Sequence, residues 1–263
     1  EGVWNRNTKP SLSAWVFFFA GLSGSSRSGP TSSSSRGIRY SWSINLSFGL
    51  ARGKTLDVGG VGIEMRSLPS PDDGLIDPRS WFEDPSKPLE IEIGSGKGTF
   101  LLQEAIQRPD VNYLGFEWAS EFYRYAADRI RRNHLANVKM MLGDATEFLR
   151  FWCAEKVVDV IHLYFSDPWP KTRHHKRRVI QDTTLETFHR VLKQGGMIHV
   201  MTDHDDLWQW CEEHFQRHKN LFTQSIFSGV PSANEGELVG TNFERKYRRE
   251  GRPFHAVTLT RVD

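Results

Sequence analysis

The sequence predicts an α/β domain with a mostly parallel central sheet and helices on both faces. Three observations carry the prediction. From residue 89 onward, short runs rich in β-branched and aromatic residues alternate with segments of helical periodicity, the pattern of a sheet built from strand–helix units. The first of these runs leads straight into a glycine-rich turn, EIGSGKG. No run approaches the ~20 apolar residues of a membrane helix, so the apolar segments are read as core elements.

The elements follow in chain order. Residues 1–76 read as an extension, and the compact domain is placed at 77–263 because Pro69, Pro71, Pro78, Pro85 and Pro88 punctuate the approach to it. Within the extension, AWVFFFA at 14–20 resembles the apolar part of a signal peptide. The Ser/Gly-rich stretch at 21–36 that follows buries little and favours a poorly structured leader instead. Residues 38–76 leave short strands open. Strands are then expected at 89–93, 111–117, 138–142 and 157–165, with helices at 100–107 and 121–134 and a short one starting at 146–151. A helix at 182–192 is stopped by Gly195-Gly196, a fifth strand covers 197–201, a helix 207–218, and late strands 222–227 and 256–260. There is no internal repeat.

Composition narrows the function. With 38% hydrophobic and 25% charged residues the chain suits a soluble globular protein. A net charge of +2 makes the whole chain no polycation, so nucleic-acid affinity would have to come from local clusters. Cys153 and Cys211 are far apart and form no CxxC pair, which fits a reducing compartment and predicts no metal site.

The glycine loop holds Gly94, Gly96 and Gly98 between a strand and a helix, where backbone can approach a ligand closely. A dinucleotide fingerprint would need glycine at Thr99, and a phosphate-binding P-loop would need it at Ile91 and a hydroxyl at Gly98. The remaining form, an acid followed by G-x-G-x-G, resembles motif I of Rossmann-like S-adenosylmethionine methyltransferases. That cofactor is cationic and has a ribose but no phosphate, so carboxylates suit it. Glu92 precedes the loop, Glu117 ends the next strand and Asp144 follows the third; each alone could be an exposed carboxylate, and Asp144 a helix cap. Together they line the carboxyl edge of the sheet, where such folds bind ligands.

The fourth strand is followed by Phe165-Ser166-Asp167-Pro168-Trp169-Pro170-Lys171. Prolines stiffen the loop, Asp167 is its polar group, and Trp169 either stacks on a base or packs under the loop. Next comes a run of cations, Lys171, Arg173, Lys176, Arg177 and Arg178, with His174 and His175 among them. It is either a solvated face or a phosphate-binding cluster beside the loop. Arg245, Lys246, Arg248 and Arg249 form a second cluster with the same two readings.

FSDPWPKTRHHKRR closely resembles the signature of the bacterial-type tRNA (guanine-N7)-methyltransferase family. EIGSGKGTF, GFEWA, GDA, the segment from Gly195 to Asp203, and TNFERKYRREG also match that family in order. Ser166 departs from a usual proline, and Asn242 stands where the family often has lysine. The resemblance implies a Rossmann-like class I methyltransferase fold with a late antiparallel strand, S-adenosylmethionine as cofactor, and tRNA as substrate. The implied product is 7-methylguanosine at the variable-loop guanine. Glu92, Gly94, Gly96, Gly98, Glu117, Asp144 and Asp167 would meet the cofactor, with Asp167 also the catalytic group. Lys171, Asp203, Thr241, Asn242, Phe243 and Glu244 would meet the target, and Arg173, His174, Lys176, Arg177 and Arg178 the RNA. Asp203 could alternatively cap the helix that follows it. A cytoplasmic monomer or homodimer, with no metal and no membrane, is expected. Methylation of another amine or nitrogen is disfavoured because DPW replaces the usual NPP-aromatic. A non-catalytic tRNA-binding or annealing protein that keeps the fold is disfavoured by the intact acid series.

Overall fold

A computed structural model describes residues 55–263. The stretches at 14–20 and 21–36 lie outside the described residues. The strands are β1 (Gly62–Glu64), β2 (Leu89–Ile93), β3 (Asn112–Glu117), β4 (Val138–Leu142), β5 (Val158–Tyr164), β6 (Leu192–Thr202), β7 (Phe222–Ser225) and β8 (His255–Arg261). The α-helices are α1 (Thr99–Gln107), α2 (Ser120–Arg132), α3 (Ala145–Phe151), α4 (Asp182–Val191), α5 (Asp205–Arg217) and α6 (Asn242–Arg249). Among the described residues no helix is long and apolar enough to cross a membrane.

All eight strands form one sheet in the order β1-β4-β3-β2-β5-β6-β8-β7. The neighbours from β1 to β6 are parallel, while β8 runs antiparallel to both β6 and β7. This is the expected class, late antiparallel strand included. The order turns back at β2, which lies between β3 and β5. The loops after β2 and β5 therefore leave opposite ways from adjacent strand ends and open a crevice between them, the usual ligand position in such sheets.

The core has two layers, one on each face of the sheet. On one face Phe100 and Leu101 of α1 and Tyr123, Ala126 and Ile130 of α2 pack together. On the other, Phe148 of α3, Leu185 and Phe188 of α4, and Leu207 and Phe215 of α5 meet Leu89, Ile91 and Ile93 of β2. With a period of two, β2 therefore turns Glu90 and Glu92 to the α1 face, both buried. Glu90 is satisfied there by His162 and Arg108, each at 2.8 Å.

Three features differ from the sequence expectation. The domain begins before Asp77, because β1 pairs with β4 through Gly62–Glu64; three half-buried residues carry no readable period. Helix α6 was unread because only Glu244 of its eight residues is buried, leaving no apolar stripe to recognise. Gly195-Gly196 does not stop the helix before it: α4 ends at Val191, and β6 starts at Leu192 and runs through both glycines, ahead of the strand start expected at 197. Pairing steps from Val158 opposite Leu192 to Val160 opposite Met197, so the glycines sit in a bulge within β6.

Candidate active site

Three carboxylates gather at the crevice from the ends of β2 and β3 and from the loop after β5. Glu92 is buried, and its Oε2 has no hydrogen-bond partner. Burial pushes its carboxyl up to about 8, and the charge of Glu117 adds to the shift. Glu117 accepts hydrogen bonds at 2.8 Å from the backbone N–H groups of Gly96 and Ala119, so it ties the glycine loop to the end of β3. Its pKa is raised by burial, against those backbone bonds, with the charge of Asp167 contributing. Asp167 is exposed as a residue, yet the protein around its carboxyl strips away enough water to raise it too. It has no hydrogen-bond or ion-pair partner among the described residues. Like charges held together in this way favour a cationic ligand among them.

The loop between these acids is open where a ligand would lie. A Cβ placed on Gly94 or Gly96, both at positive φ, would meet nothing within 4 Å. Gly98 differs: a Cβ there would come within 3.0 Å of Ala126, so this glycine lets α1 and α2 approach and does not face the ligand side. Asp144 caps α3, its Oδ1 accepting from Thr146 N at 2.8 Å and Glu147 N at 3.3 Å. The cap uses one oxygen and leaves Oδ2 without these bonds.

The loop after β5 is bracketed by two non-glycine residues in left-handed conformation, Phe165 at φ 52° and Trp169 at φ 44°. Each costs roughly 1–3 kcal/mol, which the surrounding contacts must offset for the conformation to persist. The Trp169 ring is covered by its own basic tail: the Arg177 guanidinium lies 4.9 Å from its centroid and the His174 ring 5.6 Å. Residues Thr172–Arg177 form a 3-10 helix that exposes Arg173, Lys176 and Arg177, and Lys171 is exposed just before it. His174 is half-buried, and partial burial and the surrounding cations lower its pKa. Arg178 is placed differently from these cations: its side chain is 1% exposed and pairs with Asp206.

The C-terminal residues expected at the target divide in the same way. Asn242 donates to Thr99 Oγ1 at 3.2 Å, at the start of α1, and Thr99 Oγ1 also accepts from Arg129 at 3.2 Å. Phe243 is 52% exposed beside Phe165 and Tyr247. Thr241 and Glu244 are engaged within the chain. Thr241 caps α6 by accepting from Glu244 N at 3.1 Å. Glu244 is fully buried and accepts from the N–H groups of Leu238, Val239 and Gly240 at 2.7–2.9 Å while pairing with Arg248. It shapes the chain before α6.

Asp203 is held by Arg252 at 2.7 Å. The capping alternative does not form, because His204 Nδ1 is the group that accepts from Leu207 N. Arg252 also lies 4.3 Å over the Tyr247 ring. Neither residue was expected at the site; 49 positions separate Arg252 from Asp203, and no spacing rule joins them. The one histidine pair at i, i+4, His214 and His218, donates to the backbone carbonyls of Trp210 and His214.

A family model described as "putative methyltransferase" matches residues 86–257. A tRNA (guanine-N(7)-)-methyltransferase of Streptococcus mutans serotype c is 32% identical over 170 residues, covering 65% of this chain and 80% of the relative. Its counterpart in Streptococcus pyogenes serotype M6 is 33% identical over 171 residues, with the same coverage of 65% and 80%. Among solved structures, the aminoglycoside resistance methyltransferase NpmB1 aligns over 72% of this chain and 95% of its own, at a TM-score of 0.50 and 18% identity. That last likeness concerns the fold alone.

Proposed function

The chain belongs to the tRNA (guanine-N(7)-)-methyltransferase family, and from that premise we propose that it transfers a methyl group from S-adenosylmethionine to N7 of a guanine in tRNA. The guanine we assign is the one in the variable loop, position 46, and the compartment is the cytoplasm. The observation that carries the reading is the buried, unpartnered Oε2 of Glu92 beside Glu117 and an open glycine loop. A ligand with a cationic sulfonium, an ammonium and ribose hydroxyls answers that arrangement, because charge-assisted hydrogen bonds to carboxylates are strong.

S-adenosylmethionine supplies an electrophilic methyl group when bound. Glu92, Gly94, Gly96, Glu117 and the free oxygen of Asp144 are the groups of this chain that would hold it. N7 of guanine carries a lone pair and no proton, so the chain needs no general base. Its residues work by orientation and electrostatics. Asp167, in the loop after β5 and close to Glu117, would face the target, and its carboxylate would stabilise the positive charge that develops on the guanine ring. Lys171, Arg173, Lys176 and Arg177 would neutralise phosphates around the target.

The test is methyl transfer from labelled S-adenosylmethionine to two matched tRNA transcripts, one with the variable-loop guanine replaced. Label is expected only in the intact transcript, as a single methyl mass increment at that nucleotide. Equal labelling of both transcripts overturns the site assignment. No labelling by a chain that binds the cofactor overturns the activity.

A further inference from the structure

We propose that Arg178 is a positioning residue for Asp167, acting through the carbonyl of Pro168. The sequence reading placed Arg178 among the cations that meet RNA, but its side chain is 1% exposed and its functional atoms point inward. Nε donates to Pro168 O at 2.9 Å, one residue beyond Asp167. The terminal Nη2 pairs with the carboxylate of Asp206 in the first turn of α5. The guanidinium plane lies 5.1 Å from the centroid of Trp210, further along the same helix.

These contacts matter because the loop is not held by its own backbone preferences. Phe165 and Trp169, on either side of Ser166-Asp167-Pro168, both adopt the left-handed region that non-glycine residues avoid. Phe165 N donates to Met201 O at 2.8 Å, which fixes where the loop leaves β5. Arg178 fixes the other side of Asp167 and ties the loop to the helix that follows β6. Only a planar fork can serve a carbonyl, a carboxylate and a ring face together, so lysine would keep the charge and lose the geometry. Asp206 is itself half-exposed, and its substitution weakens the fork without opening the core.

This inference rests on the methyl-transfer reading, so its test includes a readout that needs no activity. Arg178→Lys and Asp206→Asn are compared with the unaltered chain for kcat at saturating cofactor and tRNA, for tRNA affinity across a salt series, and for amide hydrogen exchange. In Arg178→Lys, kcat is expected to fall at least tenfold, while tRNA affinity and its salt slope stay unchanged and exchange at residues 165–171 speeds up. Asp206→Asn shows the same pattern with a several-fold loss. A salt slope lowered by about one unit with kcat retained makes Arg178 a phosphate contact and overturns the proposal. Unchanged exchange at 165–171 overturns it as well, and Asp206→Asn decides alone should Arg178→Lys not fold. If the unaltered chain transfers no methyl group, the activity assignment fails while the exchange arm still decides this one.

Discussion

At the carboxyl ends of β2 and β3 and in the loop after β5, Glu92, Glu117 and Asp167 lie close enough for their charges to act on one another. A few residues further on, the cations are split between solvent and interior. Arg173, Lys176 and Arg177 are exposed, whereas Arg178 is buried against Asp206 and Trp210. In helix α6 the commitment is to acidic partners: Arg248 pairs with the buried Glu244, and Lys246 lies 3.9 Å from Glu250. The two regions differ in what fixes a side chain's direction. A residue at a strand end is aimed by sheet topology, which the order of elements already dictates. A residue in a charge run is aimed by whichever neighbour the tertiary fold brings up.

The largest expected effect tests the interior half of that contrast. Glu244→Ala leaves the N–H groups of Leu238, Val239 and Gly240 without their acceptor. Each buried donor so orphaned costs about 1–3 kcal/mol. A loss of about 3 kcal/mol or more is expected, read as a fall in Tm of about 10 °C in a chain of this size. An unchanged Tm together with weakened tRNA binding would return Glu244 to the substrate side and dissolve the contrast.

The next effect concerns the acidic half. Glu92→Gln is expected to weaken S-adenosylmethionine binding about 10- to 100-fold, the worth of a hydrogen bond to a charged group. Its pH dependence has a definite sign. Because the ligand-free Glu92 carboxyl titrates at about 8, it holds a proton at pH 7 that must leave when a cation binds. Affinity should therefore rise with pH and level off above about 8, and the Gln variant should lose that component. For the same reason the ligand-free fold binds a proton that the unfolded chain releases near 4.5. Stability then falls as pH rises through that window and levels beyond about 8. Isothermal titration and thermal melts across pH 5–9 read both. A wild-type affinity profile matching that of the variant would remove Glu92 from the cation site.

Much of this was legible in the chain itself, for identifiable reasons. β2 to β5 and α1 to α5 were read because their apolar residues recur at strand or helix period. Glu92, Glu117 and Asp167 were read because they sit at the ends of those elements. Asp144 was read with both of its roles open, and it does cap α3. Arg178, Thr241 and Glu244 were assigned to the substrate, yet their surroundings come from α5 and from the 238–240 segment. Residue type carries charge; it does not carry the identity of the partner across the fold. The same limit hid Arg252 beside Asp203.

The smallest effects separate cations that face solvent from those already committed. Replacing an exposed cation by alanine, one at a time at Lys171, Arg173, Lys176 or Arg177, removes a group with no acidic partner among the described residues. Each replacement should weaken tRNA binding a few-fold and lower the magnitude of the salt slope by about one unit, because each phosphate contact releases roughly one counterion. Arg245 is engaged by Glu237 at 2.7 Å and Arg248 by Glu244 at 2.7 Å. Their alanine variants should leave the slope unchanged, although Arg248→Ala will cost some stability by leaving Glu244 uncompensated. Filter binding or fluorescence anisotropy from low to moderate salt measures the slopes side by side. Equal slope losses for the engaged and the exposed arginines would mean that tRNA strips the ion pairs on docking. The ligand-free burial pattern would then stop being a guide to the RNA-binding face, and the contrast between rim and basic run would hold only for the free chain.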